Sequence, residues 1–177
     1  MILLCYGTRP EYIKIHLLPD GATNRVDYIA NIEDGENRLD SIVQSIMNTD
    51  GVWENDYDHV LVQGDTTSAF ASALAAFHRK IPVIHLEAGL RTYDNLNPYP
   101  EEFNRQAVSR LASIHLCPTN LDAHNLRSEN VQGTVYIVGN TVLDNLRKRN
   151  LEIGYNNKVL ITMHRRENHD IIPEWFE

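Results

Sequence analysis

The chain has little that could staple it, anchor it or attract polyanions. Only two cysteines occur in its 177 residues, Cys5 and Cys117, and they form no CxxC pair. That disfavours a disulfide framework and a cysteine metal site, and reads instead as two small reduced core residues in apparent strands. No apolar run approaches the roughly 20 residues of a membrane-spanning helix, and the N-terminus lacks the charged head and long apolar core of a secretory leader. These absences predict a cytoplasmic protein without a membrane partner. Basic residues are in deficit, 16 Lys and Arg against 24 Asp and Glu, for a net charge of −8. A general nucleic-acid binder is disfavoured, because phosphate backbones attract basic surfaces. No GxGxxG motif is present, so no dinucleotide is indicated, and there is no sequence repeat or low-complexity tract.

What is present is alternation. Residues 60–91 read as strand, tight turn, helix, strand and loop. Val60-Leu61-Val62 suits a strand buried on both faces, and Gly64 lets the chain turn at its carboxyl end. Thr66, Thr67 or Ser68 can cap the Ala-rich helix over residues 69–77, and Pro82-Val83-Ile84 opens the next strand. Asp65 and Glu87 then both follow the carboxyl ends of neighbouring parallel strands, where open α/β sheets hold their ligands.

The same grammar runs through the rest of the chain. Residues 2–6 form a strand, and Gly7-Thr8-Arg9-Pro10-Glu11 starts a helix to about Leu18, with Pro10 in its first turn. A helix start favours an anion, and Arg9 and Lys14 would add charge toward a phosphate; the alternative is two basic residues on a solvated helix face. Between Pro19 and Asn37 only residues 26–32 alternate like a strand. Leu39, Ile42, Val43, Ile46 and Met47 then form a helical stripe that covers the sheet. Pro100-Glu101-Glu102 opens a helix through about Leu111. Its acids either complement the helix dipole or bring Glu101 back to the crevice of Asp65 and Glu87, while Arg105 and Arg110 read as helix-surface ion-pair partners. A strand at residues 114–117, a helix from Pro118-Thr119 to about Ser128, a strand at 134–138 and a helix at 142–149 complete a doubly wound parallel α/β sheet. A polar linker, residues 150–158, precedes a strand at 159–163 and the ligand-like His164-Arg165-Arg166-Glu167-Asn168.

Laid out in this order, the chain resembles the non-hydrolysing UDP-N-acetylglucosamine 2-epimerases. The resemblance rests on Gly7-Thr8-Arg9-Pro10-Glu11 with Lys14, Gln63-Gly64-Asp65-Thr66-Thr67, His85-Leu86-Glu87-Ala88-Gly89-Leu90-Arg91, Pro100-Glu101-Glu102 with Asn104-Arg105, Gly139-Asn140-Thr141-Val142, and the stretch from His164 to Asn168. It implies a Rossmann-like N-terminal domain of a two-domain, GT-B-type architecture with its active site between the domains. It also implies interconversion of UDP-N-acetylglucosamine and UDP-N-acetylmannosamine through 2-acetamidoglucal, with neither cofactor nor metal. By the same resemblance Asp65, Glu87, Glu101 and His164 are catalytic, and Arg9, Lys14, Arg91, Glu102 and Asn140 bind substrate.

The resemblance further implies a homodimer and divides the chain into residues 1–157, the first domain, and 158–177, the opening strand and loop of a second. A lone parallel strand at 159–163 has unpaired backbone on both sides, so it is expected to be mobile, to pack irregularly, or to pair with a second chain supplying the other domain. Residues 18–57 are shorter than the family pattern and lack its Gln-His-Arg allosteric motif. Two alternatives stand beside the epimerase: a nucleotide-sugar glycosyltransferase of the same architecture, and a catalytically silent half-enzyme that acts as a binding module.

Overall fold

The computed structural model describes residues 1–16, 18, 22–23, 37–49, 51–148, 154, 157–159 and 161. Along them run β1 (Ile2–Cys5), α1 (Arg9–Ile15), β2 (Ala22–Thr23), α2 (Arg38–Met47), β3 (His59–Gln63), α3 (Thr67–His78), β4 (Val83–Leu86), α4 (Glu101–Leu111), β5 (Ile114–Cys117), α5 (Asn120–Ser128), β6 (Thr134–Ile137) and α6 (Thr141–Lys148). The strands pair in parallel in the order β2-β1-β3-β4-β5-β6. This is the expected doubly wound sheet, with order reversing beside β1. Register aligns Cys5 with Val62, Gln63 with Leu86, and Leu86 with Leu116, so the loops after β1, β3 and β4 leave the sheet at one edge.

The two faces of the sheet are covered differently. Leu3, Cys5, Val60, Val62 and Val83 point toward α2, α3 and α4, whereas Leu4, Leu61, Ile84 and Leu86 pack with Ile15 of α1. Ala69, Ala71, Ala73, Ala75 and Ala76 of α3 are all buried. A helix apolar on nearly every side belongs inside, and its small side chains let α2 and α4 pack closely along it. Thr66 caps α3, accepting from the Ala69 N–H at 3.0 Å. Among the described residues no helix is long and apolar enough to cross a membrane. Both cysteines are free and buried, and burial pushes the Cys5 thiol up to about 12 and that of Cys117 to about 11.

Several expectations need revision. Helix α1 ends at Ile15 rather than Leu18, and the two-residue β2, which no alternation announced, pairs with Leu3 and Leu4. The strand read at residues 26–32 lies outside the described residues. So does most of 159–163, of which Val159 and Ile161 are described and exposed.

Candidate active site

Gly64, Glu87 and Gly89 all have positive φ, at 73°, 66° and 94°, and mark the sharp exits from β3 and β4. A Cβ at Gly89 would sit 2.3 Å from the Asp122 carbonyl oxygen, so only glycine allows the loop after β4 to approach α5. A cleft of about 280 Å³ opens between these exits and the start of α1. Thr8, Glu11 and Lys14 line it from the first βα unit, Gln63, Gly64, Asp65 and Thr66 from the second, Glu87 and Leu90 from beyond β4, and Arg105 from α4. The structure thus brings Asp65, Glu87 and Lys14 together.

Asp65 and Glu87 are each paired with a cation. Lys14 Nζ meets Glu87 Oε2 at 2.5 Å, and Gln63 Nε2 also donates to that oxygen. Arg105 grips Asp65 Oδ2 through Nε at 2.9 Å and Nη2 at 2.7 Å, while Asn104 Nδ2 donates to the Asp65 carbonyl at 2.8 Å. Sequence reasoning assigned Arg105 to a helix-surface ion pair; it does pair with Glu102 one turn back on α4, and it also grips the candidate catalytic carboxylate. The signal was present in the four-residue spacing from Glu101, which sets both on one helix face, but the approach to Asp65 needs the fold.

Glu101 is not among the residues lining the cleft. It lies one turn before Arg105 on α4, with its Oε2 buried and no described hydrogen-bond partner. Arg9 lies in an adjoining recess with Tyr6 and Tyr12, connected through Thr8. Asn140 lines a shallow recess shared with Gln63 and Glu87, and its Oδ1 accepts from the Val142 N–H at 3.1 Å. His164 lies outside the described residues. Among those described, no group of three or more His, Cys, Asp or Glu is placed to hold a metal ion.

Two residues expected to bind substrate are occupied elsewhere. Arg91 is fully buried, bridging Glu129 at 2.7 and 3.0 Å and donating to Ser109 Oγ at 2.9 Å. Glu102 is also fully buried, and accepts from the Thr92 and Tyr93 N–H groups at 3.0 and 3.1 Å, from Gln106 at 2.9 Å and from Arg105 at 3.3 Å. Burial alone would raise its pKa, but these donors outweigh burial and hold it below the ordinary value. Both side chains brace the loop after β4 instead of facing the cleft. The open helix start is corrected too: around α1 the Gly7 N–H donates to Glu11 and the Glu11 N–H to Thr8, so these donors are already satisfied.

Below the cleft, His85 Nε2 lies 2.8 Å from the Gly64 carbonyl oxygen. A carbonyl only accepts, so Nε2 carries the hydrogen, and burial pushes the imidazole pKa down to about 4. This neutral ring holds the turn that presents Asp65.

The model of the family described as UDP-N-acetylglucosamine 2-epimerase matches residues 11–174. The UDP-N-acetylglucosamine 2-epimerase of Neisseria meningitidis serogroup A is 43% identical over 215 aligned positions, which cover 95% of this chain and 58% of the relative. The Campylobacter jejuni protein of the same name is 37% identical over 220 positions, covering 94% and 57%. Among solved structures, the S. aureus MnaA–UDP co-structure superposes with a TM-score of 0.77 at 33% identity, over 95% of this chain and 54% of that one. The N. meningitidis UDP-GlcNAc 2-epimerase bound to UDP-GlcNAc gives 0.72 at 36%, over 82% and 47%. The chain therefore spans a little over half the length of these two curated relatives. Their alignments are longer than the 177 residues of this chain, so the relatives also carry internal positions that this chain lacks. With the parallel sheet, the cleft at its carboxyl edge and a family match over almost its whole length, the chain belongs to the UDP-N-acetylglucosamine 2-epimerase family.

Proposed function

We propose that the chain supplies the proton-transfer half of a non-hydrolysing UDP-N-acetylglucosamine 2-epimerase, acting in the cytoplasm on UDP-N-acetylglucosamine and UDP-N-acetylmannosamine. The observation that carries the proposal is the pairing of Asp65 and Glu87 with separate cations in one cleft at the ends of adjacent strands. In the forward direction a carboxylate takes the C2 proton, the C1–O bond breaks, and UDP departs with the bonding electrons, leaving 2-acetamidoglucal. In the return step a UDP oxygen attacks C1 while a carboxyl group delivers a proton to the opposite face of C2. The exchange conserves atoms and charge and needs no redox step. Two faces require two proton carriers, and Asp65, Glu87 and Glu101 are the candidates.

In this reading residues 1–157 form the first domain and 158–177 begin the second, with His164 and Arg9 serving the departing diphosphate. Lys14 acts first on Glu87, which it already contacts. The second reading is a binding module that holds the nucleotide sugar in the same cleft, among Thr8, Lys14, Gln63 and Arg105, without proton transfer. One experiment separates the two. The chain is incubated with UDP-N-acetylmannosamine in D2O, alone and with a polypeptide carrying the second domain of a family member, and the anomeric proton signals are followed. Epimerisation with deuterium at C2 in the mixture supports the proposal. Binding of the nucleotide sugar without deuterium incorporation in either sample favours the module, and epimerisation without incorporation overturns the mechanism.

A further inference from the structure

Glu11 is almost fully buried, yet its carboxylate faces three donors drawn from two different βα units. Oε2 accepts from Thr8 Oγ1 at 2.6 Å and from the Gly7 N–H at 3.2 Å, while Oε1 accepts from Thr66 Oγ1 at 2.8 Å. Thr8 and Thr66 are themselves the N-caps of α1 and α3. One carboxylate therefore joins two helix starts, each of which would otherwise be capped on its own. Both helix dipoles place positive potential at this point, which favours the anion, while burial pushes its pKa up against the hydrogen bonds from Thr8, Thr66 and Gly7.

We propose that Glu11 is a positioning residue that couples the turn after β1 to the turn after β3, so that Thr8 and Asp65 hold their places in the cleft as one unit. Asp65 directly precedes Thr66, and its carbonyl is held from the other side by Asn104. The turn is thus clamped between α1 and α4. The coupling does not depend on which ligand the cleft takes. It also bears on anion binding there: the Gly7 and Glu11 N–H groups at the start of α1 already have partners, so these two are not free to grip an incoming phosphate.

The test places the perturbation and the readout on opposite sides of Glu11. In the full chain labelled with 13C at Asp carboxyl groups and with 15N, Thr8→Val removes one donor to Glu11 and touches nothing in the Asp65 turn. We expect the Asp65 carboxyl signal and the Thr66 and Ala69 amide signals to shift, and the same Thr8→Val change in a Glu11→Met background to leave them in place. Glu11→Gln should retain wild-type positions, because its oxygen still accepts from Gly7 and Thr8 and its amide can donate to the Thr66 hydroxyl. If Glu11→Met does not fold, the cycle of Thr8→Val and Thr66→Val carries the test. Coupling makes the urea midpoint of the double variant fall less than the sum of the single effects, since either change alone already opens the junction. Shifts confined to α1, or midpoint changes that simply add, would overturn the proposal.

Discussion

The cleft and the bracket formed by Arg91 and Glu102 around the loop after β4 use the same kinds of charged residue to opposite ends. In the cleft, the Lys14 and Glu87 side chains are 25% and 21% exposed, and Asp65 and Arg105 are 29% and 15% exposed. In the bracket, Arg91 and Glu102 are at 0%, and the Glu102 carboxylate is fully supplied with donors. A half-exposed pair can exchange a partner for a ligand, whereas a saturated buried charge cannot leave without stranding its neighbours.

The strongest way to break the comparison is to empty the bracket. Glu102→Leu strands the Thr92 and Tyr93 N–H groups and a buried face of Arg105, and should cost about 3–5 kcal/mol in urea unfolding. A loss under about 1 kcal/mol would place Glu102 among the replaceable charges. Its folded pKa is depressed, so its contribution is present above the ordinary carboxylate value and disappears as pH falls through the lowered one.

His85 gives the next effect. Its folded pKa of about 4 lies below the ordinary 6.5, so the unfolded chain binds a proton first and stability falls as pH drops from 6.5 toward 4. The loss attributable to this residue is about 3 kcal/mol, and His85→Gln, whose amide can still donate to Gly64, should flatten that limb of the pH–stability curve. An unchanged slope would assign the acid limb to other groups.

The cleft should respond in the opposite sense to the bracket. Asp65→Asn and Glu87→Gln are expected to change unfolding free energy by no more than about 1 kcal/mol, because both pairs are partly solvated. In a complete enzyme Asp65→Asn should nevertheless abolish turnover, since an amide cannot carry the C2 proton. Near-normal turnover would remove Asp65 from the catalytic set, and a large stability loss would move it into the bracket. The smallest effect sets the baseline: Arg147→Ala breaks an exposed pair with Asp144 at 3.9 Å and should cost less than about 0.5 kcal/mol.

Much of the fold was legible because its signals are local. Apolar runs, Gly64 at a strand exit, a cap among Thr66, Thr67 and Ser68, of which the structure uses Thr66, and the alanines of α3 each mark an element from its own few residues. The two-residue β2 was not legible, because a strand that short carries no period. In the site, position at a strand end placed Asp65 and Glu87 at the cleft, whereas the side chains of Arg91 and Glu102, named from their motifs, turn away from it, and Glu11 and Gln63, present in the motifs without an assigned role, line it. A motif records that a charge stands near a site; it does not record which way the side chain turns.

By itself, then, the sequence determined the order and type of the described elements apart from β2, the parallel sheet and the carboxyl-edge placement of the polar loops, since hydrophobic period and turn chemistry act over a few neighbouring residues. Only the tertiary structure decided the partners. Lys14 reaches Glu87 across 73 positions, Thr66 reaches Glu11 across 55, Arg105 reaches Asp65 across 40 and Arg91 reaches Glu129 across 38. Such pairs are chosen by which loops the sheet register brings to one edge and by how deeply each side chain is then buried, and neither is written in the spacing of a motif.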